Sequence, residues 1–94
     1  MVLVEPVSPS RSTIIWIMEK KNLVGARVKL ARKKASPPIT QIDLVAHLQI
    51  EGMRIDQSGL SKLENGRRPV TDTEIIALAK ALKVSVSWLL EGDK

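Results

Sequence analysis

Four times along this chain an apolar residue is followed at once by a small oxygen-bearing residue, with a second apolar residue four positions beyond it. The sets are Ile39–Thr40 with Leu44, Ile55–Asp56 with Leu60, Val70–Thr71 with Ile75, and Val84–Ser85 with Leu89. Each polar member reads as an N-cap, its side-chain oxygen accepting from a free backbone N–H of the first turn. Each apolar pair reads as a hydrophobic staple closing over that turn. Thr71 with Glu74 adds a capping box, and Thr40 with Asp43 a weaker version of one. Repeated in this way, the signature predicts an all-α domain and sets its register.

Helix ends follow from the breakers. A first helix is predicted over 24–35, with Val24, Val28, Ala31 and Ala35 as its apolar stripe and Pro37–Pro38 as its stop. A second runs from 41 to near 51, where Gly52 suits a left-handed residue after the last turn. The third covers 57–65 and ends at Gly66. The fourth covers 72–82 and buries Ile75, Leu78, Ala79 and Leu82, and a short fifth covers 86–90. The predicted organisation is a five-helix domain at 23–91, an N-terminal extension at 1–22 and a tail at 92–94. In the extension, Glu5 to Ser10 reads as an extended polar linker. Ser12 to Ile17 leans by local preference to a strand without an obvious partner. Met18 is a candidate second translation start. Two readings of the extension stand: a loosely attached arm, or a segment whose Ile14, Ile15, Trp16 and Ile17 dock on a second subunit.

The third helix carries the chemistry. On a helical wheel Gln57, Ser58, Ser61, Lys62 and Asn65 share an arc of about 140°, with Leu60 and Leu63 pointing away. An ordinary solvated face carries Glu, Lys and Arg in mixture. This one is short, uncharged or cationic, and rich in paired donors and acceptors. Such a face suits the reading of base edges in a DNA major groove, where a Gln amide pairs bidentately with adenine.

Composition narrows the partner. The 94 residues make room for one domain, and a hydrophobic content of 44% argues against wholesale disorder. Net charge is +5, and residues 24–69 hold all of it: nine basic side chains there face only Asp43, Glu51, Asp56 and Glu64. The charge lies where the third helix lies, which fits a polyanion partner. Cysteine is absent, which removes disulfides, thiolate metal sites and cysteine nucleophiles. Phe and Tyr are absent too, so stacking platforms for single strands are hard to build. The lone His47 has no carboxylates at metal-ligand spacing, and no acid/base pair, phosphate loop or nucleophile motif appears. No enzyme activity, cofactor, metal or small-molecule ligand is expected. The longest apolar run, Ile14 to Met18, is too short for a membrane span or a signal-peptide core, so a cytoplasmic protein is expected.

Four segments in order resemble the lambda-repressor-like helix-turn-helix family, also called Cro-repressor or Xre-type. They are Val24-Gly-Ala-Arg-Val-Lys-Leu-Ala-Arg32, Thr40-Gln-Ile-Asp-Leu-Val45, Gln57-Ser-Gly-Leu-Ser-Lys-Leu-Glu-Asn-Gly66 and Ile75-Ile-Ala-Leu-Ala-Lys-Ala-Leu82. The closing Val86-Ser-Trp-Leu-Leu90 extends the match. The resemblance implies a recognition helix at 57–65, with Gln57, Ser58, Ser61 and Lys62 reading bases. It implies that Gln41 contacts phosphate and buttresses Gln57, from a helix N-terminus with free N–H groups beside the Thr40 cap. Asn65, Arg67 and Arg68 would hold flanking phosphates, and Arg54 would stand near the same basic edge. Arg32 would pair with Glu64. Trp88, Leu89 and Leu90 read either as plain core or as an apolar face left for a partner, since the fifth helix is the family's usual self-association surface. The link between the second and third helices is about five residues longer than the family's usual turn, an insertion that surface loops absorb cheaply. Here it is expected to lengthen the second helix.

The function expected from this is sequence-specific binding of double-stranded DNA by a homodimeric transcriptional regulator, a repressor acting on a palindromic operator. Two rivals stand beside it. One is an antitoxin-like or accessory protein-interaction module with secondary DNA binding. The other is a non-specific nucleoid or RNA binder, which the charge favours and the uncharged reading arc disfavours.

Overall fold

The computed structural model describes residues 22–92. The expectations for residues 1–21 (linker, strand, second start, docking segment) and the last two tail residues lie outside the described residues. Regular structure among the described residues is helical: α1 Gly25–Lys34, α2 Gln41–Ile50, α3 Gln57–Glu64, α4 Asp72–Leu82 and α5 Val86–Glu91. Four of these helices start at side-chain caps. Thr40, Asp56, Thr71 and Ser85 accept from the backbone N–H of Asp43, Gly59, Glu74 and Trp88 at 3.1, 2.7, 3.3 and 2.9 Å. Thr71 and Glu74 form the reciprocal capping box.

Three helices stop in the same way. In α3 the Gly66 N–H donates to the Leu63 carbonyl at 3.0 Å and the Arg67 N–H to that of Lys62 at 2.9 Å, with Gly66 at φ 74°. This Schellman arrangement satisfies two carbonyls that a helix end would leave open. α2 repeats it at Gly52. α4 repeats it at Lys83, which takes φ 59° and so sits where a Cβ meets steric resistance. α2 ends at Ile50 with Glu51 as its C-cap, in keeping with the predicted stop near 51. Gly52 stops the helix, and Met53 and Ile55 turn back into the core, 4% and 8% exposed.

The core is a set of mostly branched side chains from all five helices: Val24 and Val28, Leu44 and Leu48, Leu60 and Leu63, Leu78 and Leu82, and Leu89. Burying one such side chain is worth about 1.5–3 kcal/mol before ordering costs. α3 packs against α1 and α2, α4 against α1 and α2, and α5 against α4. The stripes depart from the predicted ones in detail. Ala31 and Ala35 are only half-buried, and Arg32 takes the interior position on α1. On α4, Ala77 is buried and Ile75 half-buried.

Two ion pairs tie this framework. Arg32 holds Glu64 bidentately, Nε to Oε2 at 2.8 Å and Nη2 to Oε1 at 3.0 Å, and both residues are buried. Its third donor, Nη1, reaches the Ile39 carbonyl ahead of α2 at 3.1 Å. Arg68 clamps Glu74 with bonds of 3.2 and 2.9 Å, joining the loop after α3 to the first turn of α4. The Arg68 hydrogen bonds hold the Glu74 carboxyl below the usual carboxylate range. Partial burial opposes them and the Thr71 N–H assists.

Three outcomes follow for stability. Glu64→Ala strands a buried guanidinium and should cost about 3–5 kcal/mol, far more than Glu51→Ala on the exposed end of α2, as compared by denaturant midpoints. Lys83→Gly removes the Cβ from a left-handed position and should raise stability by about 0.5–1 kcal/mol in the same assay. Glu74 titrates lower in the folded chain than in the unfolded one. Its stabilisation is therefore complete above about pH 4.3, the ordinary Glu value, and is lost as pH falls through the lowered folded value. Acid melts of Glu74→Gln should accordingly decline less steeply below that point than those of the parent.

Candidate nucleic-acid interface

The outer face of α3 stands clear of the core. Gln57, Ser58, Lys62 and Asn65 are exposed and Ser61 is half-buried. With Gln41 of α2 and Arg67 of the following loop, these residues line one shallow, open depression. The reason is local: Leu60, Leu63 and Glu64 occupy the inward side of the same two turns, so the short polar residues between them must face out.

A chain of polar contacts runs from the interior to this face. Glu64 Oε1, already held by Arg32, also accepts from Gln41 Nε2 at 3.1 Å. Gln41 Oε1 in turn accepts from Gln57 Nε2 at 3.5 Å, a long contact. The lengthened α2–α3 link thus leaves Gln41 and Gln57 in reach of each other. Thr40 caps the start of α2 by accepting from the Asp43 N–H. The other first-turn N–H groups lie ahead of the helical ladder, at the end of the helix where an anion is favoured.

The loop after α3 is fastened by a residue that sequence reasoning assigned to the extension. Asn22 donates through Nδ2 to the carbonyls of Leu63 and Arg68 at 3.1 and 2.7 Å. Through Oδ1 it accepts from the N–H groups of Val24 and Gly25 at 3.1 and 2.7 Å. It ties the backbone at the start of α1 to the end of α3 with one side chain. The available signal was an Asn just ahead of the first apolar residue of α1. Gly25 completes the joint, since a Cβ there would run into the Leu63 carbonyl.

The structure divides the expected phosphate contacts. Gln41, Asn65 and Arg67 border the α3 depression. Arg68 and Arg54 instead line a second depression with Gln49, Asp56 and Gly59, beside the start of α3. Arg68 differs from expectation in a further way. Its guanidinium is committed to Glu74, so Arg67, which is exposed, is the cation of this loop that faces outward.

At the other end of the domain Leu89 is corrected outright. It is fully buried against α4 and presents nothing to a partner, whereas Trp88 is half-buried and Leu90 is 37% exposed. The inward position follows from its role as the apolar partner of Val84 across the Ser85 cap. Arg27 of α1 donates to the Leu89 carbonyl at 3.0 Å and covers the C-terminal end of α5, a role the charge tally alone did not reveal. Among the described residues no helix is long and apolar enough to cross a membrane, and no three His, Cys, Asp or Glu side chains are grouped to hold a metal.

Comparison with known proteins agrees with this geometry. A helix-turn-helix family model matches residues 51–89, from the end of α2 through α5. The HTH-type transcriptional regulator DicA of Escherichia coli (strain K12) is 33% identical over 78 residues, which is 82% of this chain and 53% of the relative. The chain therefore spans about half the length of that curated relative. No solved structure matches. With five helices in the expected order, the turn between α2 and α3 and these two matches, the chain belongs to the lambda-repressor-like, Xre-type helix-turn-helix family.

Proposed function

We propose that this protein binds double-stranded DNA in a sequence-specific manner and regulates transcription, acting as a repressor and as a homodimer on a palindromic operator. The observation that carries this reading is the single depression shared by Gln57, Ser58, Ser61, Lys62, Asn65, Arg67 and Gln41. It combines neutral donor–acceptor side chains at its centre with cations at its rim. That is the division of labour a duplex requires, since phosphate contacts position a protein and base-edge contacts specify sequence. α3 would lie in the major groove with Gln57 nearest the bases. Thr40 and Gln41 at the start of α2, together with Asn65 and Arg67, would meet the backbone. Arg54 would serve the neighbouring phosphate, and Arg68 would act chiefly by fixing the loop.

Association through α5 completes the reading, with Trp88 and Leu90 in place of the buried Leu89 as the partner-facing residues. A two-fold dimer sets its half-sites about one helical turn, or 10 base pairs, apart. A neutral donor–acceptor face flanked by Lys62 and Arg67 favours this reading over a protein-interaction module of the same fold.

Selection of bound sites from a random duplex library tests the reading, because a reader retains chosen sequences when competitor DNA is added. Gln57→Ala should lose about 1–3 kcal/mol on the selected site and relax preference at one base pair per half-site. Arg67→Ala should weaken all sequences alike and reduce the salt slope by about one unit. Uniform weakening by Gln57→Ala would show that α3 does not read bases.

A further inference from the structure

We infer that Glu64, buried and one residue removed from any contact with DNA, is a specificity-determining residue: it sets the polarity with which the Gln57 amide faces the base, favouring adenine over guanine. This rests on the base-reading role proposed for Gln57 and adds to it a second layer.

The inference starts from a property of the carboxylate. Gripped bidentately by Arg32, Glu64 offers only acceptors to its remaining neighbour. An amide meeting it has one choice of orientation. Gln41 must turn Nε2 toward Glu64, as it does at 3.1 Å. Its Oε1 is thereby sent the other way, to the side occupied by Gln57, whose Nε2 lies 3.5 Å from it. One amide proton of Gln57 is thus directed at Gln41. What Gln57 retains for a ligand is its other Nε2–H and its Oε1, one donor and one acceptor.

That pair matches one purine. Adenine presents N7 as acceptor and N6–H as donor on its major-groove edge. Guanine presents two acceptors, N7 and O6, so the outward Oε1 of Gln57 would meet O6 with like polarity. Were Gln41 reversed, with Nε2 toward Gln57, the Gln57 amide would reverse to accept from it. Both amide protons would then face the groove, the arrangement guanine fits. The buried charge decides between these two states without touching the duplex. Burial makes the first link firm, because Arg32 and Glu64 are 9% and 5% exposed. The second link, between Gln41 and Gln57, lies at the exposed surface where a ligand meets it.

The test is a competition between duplexes that carry A·T or G·C at the base pair whose preference Gln57→Ala abolishes. Thermal melts confirm that each variant is folded. The parent should favour adenine by at least about tenfold, the value of one good bidentate pair. Glu64→Gln has the same shape but can turn either end of its amide toward Gln41, and it should bring the A:G ratio close to unity. Gln41→Ala leaves the Arg32–Glu64 pair intact and should lower the ratio similarly. The double variant should lower it no further, since both act on one path.

A folded Glu64→Gln that keeps the parental ratio overturns the inference, even if it binds all sequences more weakly, as a purely structural loss would cause. So does an unchanged ratio in Gln41→Ala, which also decides the matter should Glu64→Gln fail to fold. If Gln57→Ala itself keeps the parental selectivity, the base-reading proposal fails and the polarity relay with it. Selectivity lost in Gln57→Ala but kept in Glu64→Gln sinks the relay alone.

Discussion

The pairing of Arg32 with Glu64 is the constraint around which the rest of the domain is arranged. Two charges withdrawn from water are tolerable only when nearly every donor and acceptor they carry is engaged. Meeting that condition draws in three segments: α1 supplies the guanidinium, α3 the carboxylate, and the approach to α2 the Ile39 carbonyl. Gln41 then takes the remaining demand of the carboxylate. Apolar contacts would hold the same helices together, but they are non-directional and would allow α3 to roll. A forked, planar contact allows little rotation, so the pair fixes which side of α3 is outermost.

A second restraint acts at the same C-terminal end of α3, on the backbone beside Glu64. Gly66 ends α3 in a left-handed turn, Asn22 holds the Leu63 and Arg68 carbonyls, and Gly25 lets α1 come close enough for that to happen. Arg68 then anchors the loop to Glu74. α3 is short, eight residues, and a helix of that length has little stability of its own. Its orientation is imposed from outside by these contacts, which accounts for polar, hydrogen-bonding residues appearing on both of its sides.

Much of the fold was legible in the residues because the information was local. An N-cap and its staple lie within a few positions of one another, and Thr40, Asp56, Thr71 and Ser85 all cap as the pattern predicts. The outward face of α3 was legible for the same reason, as a matter of helical period. What could not be read depended on long-range partners. Nothing local distinguishes Arg68, bonded to Glu74, from Arg67, which is exposed. Nor does local pattern tie Arg27 to the end of α5 or Asn22 to the end of α3. Arg32 was matched with Glu64 only through the family resemblance. Leu89 reads inward as the staple partner of Val84 and outward through the family resemblance, and its burial settles this for the staple. The stop of α2 at Gly52 was legible, but the path of the link after it was not, since Met53 and Ile55 are separated by Arg54 and follow no helical spacing, yet both return to the core.

The role of Asn22 has a chemical consequence. Its side chain is used from both ends, the nitrogen toward two carbonyls and the oxygen toward two N–H groups. Aspartate is nearly its twin in size and caps helices equally well, but it has no proton to give to Leu63 and Arg68. Conversion of this one amide to a carboxylate would keep an acceptor for Val24 and Gly25 while turning a negative oxygen against the carbonyls it once bridged. Placed behind α3, that repulsion would loosen the joint which aims the helix without altering any residue on its outer surface.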